Sequence, residues 1–273
     1  MSDKETLLGW CGLLSLRGDG HPFVVDADGQ RTLQFDGLTI QSQMALDDPD
    51  ALALDYTRAM MGFLLFHSAP RHVAMIGLGG GSLLKYCLKT MPGTRVTAVE
   101  INQEVIALRD AFGIPPDGPR LQVLCRDGAE YVRDPGEAPD VLIVDGFDAG
   151  GMPEQLCSAG FYDYCCAMLA EGGMMVVNLW SGDRRYGLYA SRIRASFDGR
   201  MVAVRADEDS NRIVFASKDP HFPPGRAQLL ERARALALDH PFGLVPLAQR
   251  IRHRLDHRRE DRDDPWASGK RRR

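Results

Sequence analysis

The chain lacks a run of about 18 apolar residues, so no segment reads as a membrane span. Its start, MSDKETLLGWCGLLSL, lacks the longer apolar core and small-residue cleavage site of a signal peptide. A cytoplasmic protein is expected. No CxxC pair and no metal-ligand spacing occur among Cys11, Cys87, Cys125, Cys157, Cys165 and Cys166. Cys165 and Cys166 are adjacent, which disfavours a bridge between them. Cys87 and Cys125 fall in an expected helix and strand, as buried free thiols. There is no strong positive charge: 33 Lys and Arg against 37 Asp and Glu leave −4, which argues against a nucleic-acid partner. No internal repeat is present.

The 273 residues, 44% hydrophobic and 26% charged, suit one large α/β unit with a small appendage. Residues 21–43 read as an antiparallel meander. Its Asp28-Gly29 and Asp36-Gly37 pairs are hairpin signals, because a type I′ turn needs positive φ at both central residues. A helix is expected from Pro49 to Phe66, capped by Asp48, with Met60, Met61, Phe63, Leu64 and Phe66 packed in the core.

From His72 the pattern alternates. Apolar runs at 72–76, 95–99, 121–125, 140–144 and 174–179 are separated in most gaps by helical stretches at 82–90, 102–112 and 158–169. Continuous apolar strands are buried on both faces, as in a parallel sheet. The expected fold is α/β, a doubly wound, mostly parallel sheet. Runs near 200–205 and 212–216 add an antiparallel hairpin, and 226–238 reads as helix. Three parts are expected: a β meander at 1–48, an α/β domain at 49–249, and an unstructured charged tail at 250–273. His253 and His257 have helical i,i+4 spacing but sit in that tail, and no metal site is expected. A contact for nucleic acid or an acidic partner is the alternative role for the tail.

The first strand of the α/β unit runs into Gly77-Leu78-Gly79-Gly80-Gly81. Glycines between strand and helix let a ligand approach the backbone closely. Ser82 stands where a nicotinamide-dinucleotide loop requires a third glycine, which argues against a dehydrogenase. Glu100 ends the second strand, 23 residues after Gly77. A carboxylate near this spacing can accept hydrogen bonds from both ribose hydroxyls. Asp127 follows the third strand, and Asp145 and Asp148 follow the fourth. Four acids past the carboxyl ends of parallel strands mark a ligand site. An acidic cleft suits a cation such as a sulfonium or a polyamine.

These segments resemble the spermidine synthase (polyamine aminopropyltransferase) family, within the class I S-adenosylmethionine-dependent methyltransferase-like superfamily. VEIN-x-EVI at 99–106 is similar to the family's VEID-x-x-VV, and DVLIVDGFD at 140–148 to its DVIIVDSSD. RDGAEYV and Phe161-Tyr162 add to the match, which spans about 21–217. The resemblance implies that Glu100, with Ile101 beside it, binds the ribose. Asp127-Gly128 meets the adenine, and Gly77, Gly79, Gly80 and Gly81 form the nucleoside loop. Gln41 resembles the family glutamine near the aminopropyl donor. Asp145 deprotonates the attacking amine and Asp148 holds its far end.

Three positions depart from the family. Gly80 stands where its GGGDGG loop has Asp, and Asp148-Ala149 replaces its Asp-Pro. Its Tyr-His-Glu has no match, the nearest stretch being Leu54-Asp55-Tyr56. The expected activity is aminopropyl transfer from decarboxylated S-adenosylmethionine to a small amine, by a homodimer. The alternatives are methyl transfer from intact S-adenosylmethionine to an unknown acceptor, or nucleoside binding without catalysis.

Overall fold

The computed structural model describes residues 20–36, 39–147, 151–206 and 210–260, with side chains to Leu255. Three strands, β1 (Phe23–Ala27), β2 (Gln30–Gln34) and β3 (Ile40–Ala45), form an antiparallel sheet. Asp28 and Gly29 both take positive φ, 52° and 73°, as the hairpin signal requires. At the second turn Asp36 accepts from the Thr39 amide at 2.6 Å, while Gly37 lies outside the described residues. Leu33 and Met44 from this sheet join the main core.

The helix expected at 49–66 is shorter and differently begun. α1 covers Asp55–Met60, and a 3-10 turn continues over Met61–Leu65. Asp48 does not cap it; the residue before the helix is Leu54, which has no side-chain cap. The Pro49 carbonyl instead accepts from the buried Lys85 ammonium at 2.5 Å, which holds this stretch against the next helix. Met60, Met61, Phe63 and Leu64 are fully buried, as expected of an element apolar all round.

A seven-stranded sheet follows. Its strands are β4 (His72–Ile76), β5 (Arg95–Glu100), β6 (Leu121–Cys125), β7 (Val141–Val144), β8 (Met174–Trp180), β9 (Met201–Arg205) and β10 (Asn211–Ser217). The order is β6-β5-β4-β7-β8-β10-β9. β6 to β8 pair in parallel, while β10 runs antiparallel to β8 and β9. Between and after the strands lie α2 (Ser82–Thr90), α3 (Gln103–Ala107), α4 (Gly128–Tyr131), α5 (Ala159–Met168), α6 (Tyr186–Ser196), α7 (Arg226–Leu236) and α8 (Leu244–Glu260). The fold is the expected doubly wound α/β architecture.

Period-two alternation splits the sheet between two cores. Val73, Met75, Val141, Ile143 and Val176 face α2, α7, α8 and the 3-10 turn. Ala74, Ile76, Leu142, Val144 and Val177 face α4, α5 and α6. Cys87 is buried but Cys125 is exposed, against expectation, because β6 is an edge strand. The chain from 250 to 260 is helical, which corrects the expected unstructured tail over that stretch. Leu244, Leu247, Ala248 and Ile251 form one apolar stripe buried in the core. Residues 261–273 lie outside the described residues.

Candidate active site

Open α/β sheets bind ligands at the carboxyl ends of their strands, where the strand order reverses. Here that point falls between β4 and β7, and both ends are tied by backbone. The Gly77 amide donates to Val99 and the Asp145 amide to Ile76, each at 2.9 Å. Gly77 has φ 97°, and a Cβ there would sit 2.3 Å from the Asp145 carbonyl oxygen. Only glycine permits this approach. It brings the glycine loop and the acid after β7 to one place.

A cavity of about 660 Å³ opens at this edge. Gln41, Gly77, Gly79, Glu100, Ile101, Asp127, Gly128 and Asp145 all line it. Gly80 and Gly81, expected in the ligand loop, do not. A Cβ on Gly80 would meet Phe112 and the Ser42 hydroxyl at 2.8 Å, and one on Gly81 would meet Ile114 at 2.6 Å. These two glycines let the loop pack on its neighbours. Asp148 lies outside the described residues.

Each acid is held by its local structure. The two oxygens of Glu100 accept from the amides of Leu78 at 3.0 Å and Asn102 at 2.9 Å. The carboxylate is thereby fixed between the glycine loop and the start of α3. Asp127 caps α4, accepting from the Ala129 amide at 2.6 Å through one oxygen. Gly128 packs on Ile76, where a Cβ would lie 2.4 Å from Cγ2. Asp145 accepts from the Asn178 amide nitrogen at 2.9 Å and from the Tyr56 hydroxyl. Burial pushes its carboxyl above the usual range, opposed by those two hydrogen bonds.

Tyr56, Asn178, Trp180, Asp183 and Tyr189 also line the cavity and were not expected there. Asn178 carried a signal, as the single polar residue in the strand MMVVNLW. Tyr56 lies in Leu54-Asp55-Tyr56, the stretch nearest to the family's unmatched Tyr-His-Glu. Asp183 carried a signal too, lying four residues past the apolar run at 174–179, as Asp148 lies four past 140–144. The described lining residues include Glu100, Asp127, Asp145 and Asp183 but neither Lys nor Arg. Among the described residues, no group of three or more His, Cys, Asp or Glu is placed to hold a metal.

This fold, with carboxylates around a glycine loop at the switch point, defines a transferase of the methyltransferase-like class. The family model of the spermine/spermidine synthase domain matches residues 54–180. The polyamine aminopropyltransferase of Neisseria meningitidis serogroup A is 39% identical over 216 residues, covering 78% of this chain and 81% of that one. Among solved structures, a probable spermidine synthase from Corynebacterium glutamicum has TM-score 0.63 at 19% identity, covering 78% of this chain and 83% of the other. Human methyltransferase-like protein 13, in complex with SAH, has TM-score 0.61 at 22% identity over 69% of this chain and 93% of the other. The chain belongs to the spermidine synthase, or polyamine aminopropyltransferase, family. It is an aminopropyl transferase.

Proposed function

We propose that the donor is decarboxylated S-adenosylmethionine and that the acceptor is a primary amine of a diamine or polyamine. One observation carries this reading: four carboxylates and no basic side chain among the described lining of the cavity. A decarboxylated donor presents a sulfonium and an ammonium to those acids. The intact donor would add a carboxylate with no basic partner among them.

Glu100 is assigned to the ribose hydroxyls and Asp127 to the adenine amino group, through its oxygen not used in capping α4. Gln41, on the β3 side of the same cavity, is assigned to the aminopropyl group by the family resemblance. Asp145 aligns the amine and takes its proton as the new C–N bond forms. An alkyl amine with a pKa of about 10.4 is mostly protonated at neutral pH, so a nearby base matters more than help for the leaving group. As the C–S bond breaks, its electron pair stays on sulfur, and 5′-methylthioadenosine leaves as a neutral thioether. Asp148 is assigned to the amine's far end by the family resemblance. The working form is proposed to be a cytoplasmic homodimer on the same basis.

The test is calorimetric titration with decarboxylated and with intact S-adenosylmethionine, followed by amine-dependent release of 5′-methylthioadenosine. Tighter binding of the decarboxylated form, with release, is expected. Preference for the intact form without release would overturn the reading and favour methyl transfer.

A further inference from the structure

A second recess lies against another face of α1. The helical period divides α1 between the two cavities. Tyr56 and Thr57 line the active-site cavity. Asp55, Arg58 and Ala59, at i, i+3 and i+4, line the recess, facing Phe242, Leu247 and Arg250. Leu247 and Arg250 lie on α8, one turn apart. The recess has a volume of about 240 Å³. Sites for drug-sized ligands span roughly 300–1,000 Å³, so this one suits a single small group.

The walls are held by packing around them. A Cβ on Gly62 would lie 2.4 Å from Leu247 Cδ2, so glycine lets the 3-10 turn and α8 meet closely. The Phe242 ring stands edge-on to Tyr86, with centroids 5.4 Å apart.

The lining charge is opposite in sign to that of the active site. Among the described lining residues, Arg58 and Arg250 share one carboxylate, Asp55, which leaves one net positive charge. The active-site cavity has four acids and no base. Arg58 Nη1 donates to the carbonyls of Leu52 at 2.9 Å and Ala53 at 3.2 Å, which orients the guanidinium. Its Nη2 lies 3.7 Å from Asp55 Oδ1, an ion pair too long for a hydrogen bond. The Nη2 donors therefore remain available to a ligand. Burial pulls the Arg250 guanidinium below its usual range, with the Asp55 carboxylate opposing it. A cation so placed gains from a second anion.

We infer that this recess binds a phosphate group, alone or carried on a small metabolite, between Arg58 and Arg250. Guanidinium forks match the oxygens of a phosphate, and charge-assisted bonds are roughly twice as strong as neutral ones. The acid-lined active-site cavity repels the same anion. The recess is thus a separate site, and the inference does not depend on how the donor and acceptor are assigned.

The experiment is calorimetric titration of the full chain with inorganic phosphate and with ribose 5-phosphate, at ionic strength held constant with chloride. Saturable binding is expected, and the tighter of the two ligands identifies the source of the phosphate group. R58Q and R250Q should each weaken binding about tenfold or more, since each removes charged donors. R252Q removes the same charge from an exposed position of α8 outside the recess, and should leave binding near wild type. Saturable binding of neither ligand, or equal weakening in R250Q and R252Q, overturns the site and leaves Arg58 and Arg250 as a charge network joining α1 to α8. R58Q also loses its bonds to two carbonyls, so R250Q carries the test if R58Q fails to fold. As a second measurement, the tighter ligand should raise the Tm of wild type and not that of R250Q. An equal rise in both overturns the inference.

Discussion

At the residue scale, the proposed chemistry requires Asp145 to be ionised in a place that disfavours charge. Burial raises its pKa, and the amide of Asn178 and the hydroxyl of Tyr56 pull it back. Asn178 is itself 3% exposed, in the middle of the sheet's β8–β10 pairing. Asn178→Leu removes a donor to the charged form, so the Asp145 pKa rises further. Below that pKa less carboxylate is present to take the amine proton. The acid limb of the kcat/KM profile should move up by about one pH unit, since a hydrogen bond to a charged group contributes about 1.5–3 kcal/mol. Rates well above the limb should change far less. An unmoved limb in a folded variant would show that Asn178 does not set the charge of Asp145.

At the element scale, α4 shows one side chain serving two purposes. Asp127 caps this short helix with one oxygen and lines the cavity. Asp127→Ala should cost about 1 kcal/mol of stability through the lost cap and also weaken nucleoside binding. Asp127→Ser keeps a capping oxygen, so its denaturant midpoint should stay near wild type while donor affinity still falls. Equal donor affinity in wild type and Asp127→Ser would confine the residue to capping. The acids after β5, β6 and β7 were legible because each lies within two residues of the end of an apolar run that reads as a strand. α1 was misread, since the apolar stretch to Phe66 looks continuous. The stretch before that helix is held instead by Lys85, which donates to the Pro49 carbonyl from 36 residues away in the chain.

At the scale of the whole molecule, α8 is part of the fold, although its sequence reads as a charged segment. Its apolar stripe closes one core over β9 and the 3-10 turn. Ile251 is 0% exposed, so Ile251→Ala should lower unfolding free energy by about 2–5 kcal/mol in denaturant titration. The exposed neighbour Arg252 should tolerate alanine within about 0.5 kcal/mol. Equal effects at the two positions would mean that α8 does not pack as described.

The sequence by itself determined the strand-helix alternation, the glycine turn and the acids that follow the strands. Those features are local, set by hydrophobic periodicity and by residues next to one another in the chain. Tertiary structure alone decided that Tyr56 and Asn178 meet Asp145, that Gly80 and Gly81 serve packing, and that Asp183 faces the same cavity. Such meetings depend on strand order and on turns that bring distant segments within hydrogen-bond reach. No local pattern in the chain encodes that proximity.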